Sequence, residues 1–63
     1  MSVVDDLRAE AEKRASLEEM ERDSGRPGWP LRAEEHRRIA ELCRRAVTVL
    51  EARATLLRAL GHG

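Results

Sequence analysis

The sequence predicts an all-α protein, a two-helix hairpin with helices over about 3–23 and 31–60 that assembles into a four-helix bundle or coiled-coil-like dimer. Three observations carry this expectation. Trp29 is the sole aromatic residue, so a core must be built from Leu, Val, Ile, Ala and Met. That set suits helix packing and fits sheets badly. Both prolines and two of the four glycines fall between Ser24 and Pro30, so the chain breaks once. The second half repeats apolar residues at alternating spacings of three and four, the heptad pattern of packed helices.

The first helix opens at Ser2, a side chain that can cap the free N–H groups of the first turn, with Asp5 and Asp6 at the positive end of the helix dipole. Its interior is rich in good helix formers. Glu10/Arg14 and Glu18/Arg22 stand four residues apart in the favourable order, each pair contributing a few tenths of a kcal/mol. Its apolar face is thin. Val3, Val4, Leu7, Ala11 and Ala15 cluster on one side, and Leu17 and Met20 fall on another.

The break follows at residues 24–30. Gly25 is placed to end the first helix in the left-handed conformation. Pro30 suits the first turn of the next helix, where its missing N–H costs nothing. The second helix then carries Glu34 and Glu35 in its first turn, Arg58 in its last, and Gly61 past its end.

The second helix is apolar over about half its circumference, wider than the ~100° stripe of an ordinary surface helix. Ile39, Leu42, Ala46, Val49, Arg53, Leu56 and Leu60 form a heptad seam. Cys43, Leu50 and Leu57 form a second row beside it. At ~1.5 Å per residue the helices span about 30 and 45 Å. In an antiparallel hairpin the first runs out near Ala52, so Leu56, Leu57 and Leu60 overhang. Each buried Leu contributes about 1.5–3 kcal/mol. Ordering costs about 1.5 kcal/mol per residue, which leaves chains of this size close to balance without a disulfide, metal or partner. Cys43 is the only cysteine, so no disulfide forms within the chain. These points predict association with a second copy or a larger protein, through the heptad seam, Leu50, Leu57 and Trp29.

Charge supports folding back. Residues 1–30 carry eight acids and five bases, and residues 31–63 carry seven arginines and four glutamates, so the halves bear −3 and +3 and the whole is neutral. Opposite halves attract. The bias of eleven arginines to one lysine, Lys13, with abundant alanine, reads as genome composition and not as a functional signal.

Several residues are candidates for chemistry. Arg53 interrupts the apolar seam and is expected to snorkel or to pair with Glu10 or Asp6, with a register-setting role as the sharper alternative. Cys43 reads as a small buried hydrophobe, since His36 lies about 10 Å away by helix rise, too far to act as its base. His36 reads as a half-exposed surface residue and His62 as part of a frayed tail. Trp29 is expected to fold back near Met20, Leu31 or Ala33, or else to anchor a partner pocket. Arg37, Arg38, Arg44 and Arg45 recur at spacing seven and form two columns that could meet phosphates, but Glu34 and Glu41 share those columns and offset the field.

No phosphate loop, metal-ligand spacing or catalytic triad is present, and adjacent acidic pairs point apart on a helix. The expectation is therefore a non-enzymatic module without cofactor or metal: an adaptor, regulator, inhibitor or assembly subunit. The alternative is a nucleic-acid-associated regulator using the four arginines. With no apolar leader, no membrane-length apolar run and a lone thiol, the chain is expected to be cytoplasmic.

Overall fold

The computed structural model describes residues 2–61. Two helices fold against each other, α1 over Val3–Ser24 and α2 over Trp29–Leu60. The shape is a long flat hairpin, 58 × 19 × 11 Å. Its Cα radius of gyration is 15.9 Å, where a compact domain of this length would have about 11 Å. Much of its surface therefore stays outside any core.

Helix α1 begins as its sequence dictates. The Ser2 side chain accepts from Asp5 N–H at 3.1 Å, and Asp5 and Asp6 occupy the first turn. The helix stops at Gly25, whose φ of 65° turns the chain into the left-handed region. Ser24 and Glu21 brace the stop. Ser24 Oγ donates to Glu21 O at 2.7 Å and accepts from Arg26 N–H at 3.2 Å.

Helix α2 starts at Trp29, two residues before the expected Leu31, so the connection is only Gly25–Gly28. The reason is local. Gly28 adopts φ 82° and its carbonyl accepts from Arg32 N–H at 3.3 Å, which lets Trp29 and Pro30 form the first turn. Trp29 thus belongs to the helix and not to the loop. Glu34 and Glu35 in turn fall beyond the first turn, which holds no acid.

The core is small. Ala11 of α1 and Ala33, Ala40, Cys43 and Val47 of α2 are its buried members. Among the described residues no large side chain is fully covered. Half-buried residues extend the same line: Val4, Leu7, Arg14, Glu18 and Glu21 on α1, and His36 and Leu50 on α2. Spacings of three and four on both helices define one contact seam. The seam is apolar near the chain termini and charged near the turn, where Arg14, Glu18 and Glu21 replace the aliphatic residues.

Candidate functional site

The heptad row and the hairpin seam are different faces of α2. Helix α1 packs on Ala33, Ala40, Cys43 and Val47. Small side chains let two backbones approach closely, and α1 meets them with its own Ala11. The larger residues of the heptad row are left outside: Leu42 is 56% exposed, Val49 60%, Leu56 59% and Leu60 71%. Ile39 and Ala46 sit half-buried at the border between the two faces. Of the second row, Leu50 turns toward α1 and is half-buried, and Leu57 is 56% exposed. Leu31, near the start of α2, adds 76% exposure to the same outer face.

The length mismatch leaves its mark. Every residue from Glu51 to Gly61 is exposed. The last cross-helix ion pair joins Arg8 to Glu51 at 2.6 Å. Beyond it α2 continues to Leu60, about two and a half turns, and presents Leu56, Leu57 and Leu60. Arg53 is exposed and pairs with neither Asp6 nor Glu10 among the described residues. Glu10 lies 3.5 Å from Arg14 of its own helix instead. Arg53 lies on the outer row of α2, away from the face that α1 covers, so the acids Asp5 and Asp6 in the first turn of α1 are not its partners.

The turn end is tied by charge. Glu21 accepts from Arg32 Nε at 2.9 Å and from Arg26 Nη2 at 3.2 Å. Arg32 Nη1 also donates to Pro27 O at 3.1 Å, so one side chain links α1, the loop and α2. The hydrogen bond from Arg32 holds the Glu21 carboxyl below its ordinary value, with the charges of Arg32 and Arg26 acting in the same direction against partial desolvation. Glu18 accepts from Arg22 at 3.0 Å and lies 3.3 Å from Arg37. Arg14 Nη1 donates to Nδ1 of His36 at 3.1 Å. His36 is half-buried, in line with the half-exposed position its spacing suggests, and this contact ties it to α1.

The remaining candidates separate. Trp29 is half-buried and lines an open groove with Glu18, Arg22 and Ala33, in keeping with a side chain folded back over the hairpin end. A second groove is lined by Arg8, Ala11, Glu12, Arg44, Val47, Thr48 and Glu51. These two exclude the exposed leucines, whereas a third groove is lined by Leu31, Ile39 and Leu42 together with Glu34, Glu35 and Arg38. Arg37 is matched by Glu18 and Arg38 by Glu34 at 3.8 Å. Arg44 and Arg45 make no ion pair among the described residues. Cys43 is buried with a free thiol. Among the described residues no group of three or more His, Cys, Asp or Glu side chains is placed to hold a metal ion. No helix among them is long and apolar enough to cross a membrane.

Two grooves between the helices are thus lined largely by charged residues, and the outer face of α2 carries an uncovered aliphatic row whose first part is flanked by Glu34, Glu35 and Arg38. No protein family, curated protein or solved structure matches this chain.

Proposed function

We propose that the protein is a small helical interaction module, not an enzyme, which buries the outer face of α2 against another protein surface as an adaptor, regulator, inhibitor or assembly subunit. One observation carries the reading. Leu42, Val49, Leu56 and Leu60 lie at heptad spacing on one face of α2, and each is more than half exposed in the single chain. A contiguous apolar surface of this kind is what helical partners bury. The hairpin's own core covers small residues and leaves the leucines, so the larger share of available apolar burial lies in association. The arginine columns support a nucleic-acid role less, because Arg37 and Arg38 are matched by carboxylates and their field is reduced.

Site-specific photo-cross-linking tests this reading. A photoreactive residue at position 42, 49 or 56 should capture protein, in the purified sample or in extract of cells producing the chain. The same residue at Thr48, in the charged groove, should not. Absence of protein adducts from all three row positions would overturn the reading.

A further inference from the structure

Resting on that reading, we infer that the outer face of α2 is covered by α2 of a second copy running antiparallel, with Glu35 of each chain facing Arg53 of the other. Two features of the row point to this. The first is charge. The 3–4 spacing that runs from Ile39 to Leu60 extends one step back to Glu35, so the row carries one acid near its start and one base, Arg53, near its end. Both are exposed, and neither makes an ion pair within its own chain among the described residues. In a parallel pairing each would stand against its own kind, because identical positions meet in register. In an antiparallel pairing each can meet its opposite.

The second feature is register. Two antiparallel copies of Trp29–Leu60 set about a two-fold axis at residue 44 overlap over all but one residue of each helix. In that register Glu35 lies opposite the partner's Arg53, Ile39 opposite the partner's Val49, and Leu42 opposite the partner's Ala46. These contacts set a position of one heptad class against the other, as antiparallel packing requires. The arrangement also answers the overhang. Leu56 and Leu57 of one chain reach the partner's Leu31, itself 76% exposed. Sliding the pair by a heptad parts the two charges and shortens the overlap. Among registers that keep the heptad rows opposed, the one of greatest overlap is therefore also the one of charge complementarity. Arg45 flanks the axis on the solvent side, one turn from Glu41 of its own chain, which offsets its charge.

Charge reversal with sedimentation equilibrium on the full chain tests this. Wild type should be a dimer at micromolar concentration. Glu35→Arg alone and Arg53→Glu alone should each raise the dissociation constant by tenfold or more, since each places like charges together twice. The double variant should restore the dimer. An equimolar mixture of the two single variants should restore it too, as a heterodimer, because each chain then supplies what the other lacks. Both positions are exposed in the single chain, and circular dichroism should show each variant helical. A dimer indifferent to these changes would overturn the antiparallel arrangement and leave the interaction reading standing. A wild-type chain that remains monomeric while its row positions still cross-link to another protein would overturn self-association alone.

Discussion

Glu21 and Arg32, eleven residues apart, are joined across the turn by a hydrogen bond of 2.9 Å. The same carboxylate holds Arg26, and the same guanidinium reaches Pro27 O. The turn end of the hairpin, where Arg14, Glu18 and Glu21 of α1 are half-buried, is closed by this clasp. Glu21→Gln keeps the shape and removes the charge. Thermal unfolding followed by circular dichroism should show a melting temperature several degrees lower than wild type.

The clasp also sets a pH dependence. The Glu21 carboxyl titrates below 4.5 in the folded chain because the charged form is held by Arg32. The unfolded chain therefore takes up this proton at higher pH than the folded chain does. The contribution is complete above the ordinary carboxylate value and is lost as pH falls through the lowered one. Urea unfolding should show wild type losing stability between about pH 5 and pH 3 more steeply than Glu21→Gln. Equal slopes would show that the clasp contributes nothing through charge.

Gly25 ends α1 at φ 65°, and a Cβ built there meets no atom within 4 Å. Any cost of substitution is therefore backbone strain and not a clash. Gly25→Ala should destabilise by about 1–2 kcal/mol, the penalty of a left-handed L-residue. D-alanine at the same position, accessible by synthesis of a chain this short, should remove the penalty. Chemical denaturation of the three chains measures it.

The inner and outer faces of α2 should respond oppositely to substitution. Ala40 is 2% exposed against α1. Ala40→Leu should overpack the seam and cost about 1–3 kcal/mol. Leu42→Ala, two residues on but on the outer face, should change the stability of the dilute single chain by no more than about 0.5 kcal/mol, while weakening association measured at higher concentration. Equilibrium unfolding at two concentrations separates the effects.

The parts of this structure that depend on local chemistry are visible in the sequence. Ser2, Asp5, Gly25 and Pro30 mark the helix ends because capping and φ preferences act within a few residues. Trp29 falls inside α2 and not before it because the left-handed Gly28 closes the turn sooner than the prolines alone suggest. The apolar width of α2 is equally plain, but the division of that width is not. Periodicity weights residues by hydrophobicity, so it favours the row of Leu42, Val49, Leu56 and Leu60. Close approach of two backbones instead selects small side chains, and α1 packs on Ala33, Ala40, Cys43 and Val47. The Glu21 clasp and the Arg14–His36 contact span the turn, and no spacing rule anticipates them. The expected pairing of Arg53 with α1 fails for a related reason: Arg53 belongs to the outer row and not to the face of Ala33, Ala40, Cys43 and Val47 that α1 covers.

The central claim is that the row from Leu42 to Leu60 is covered in the associated protein. Methyl NMR of the purified protein with a soluble paramagnetic agent tests it most directly. At a concentration where association is complete, the methyl groups of Leu42, Val49, Leu56 and Leu60 should be relaxed far less than that of Thr48, which is exposed on the opposite side. On dilution they should converge toward it. If the leucine methyls are relaxed as strongly as Thr48 at every concentration, the row faces water in the purified protein and its burial by self-association is contradicted.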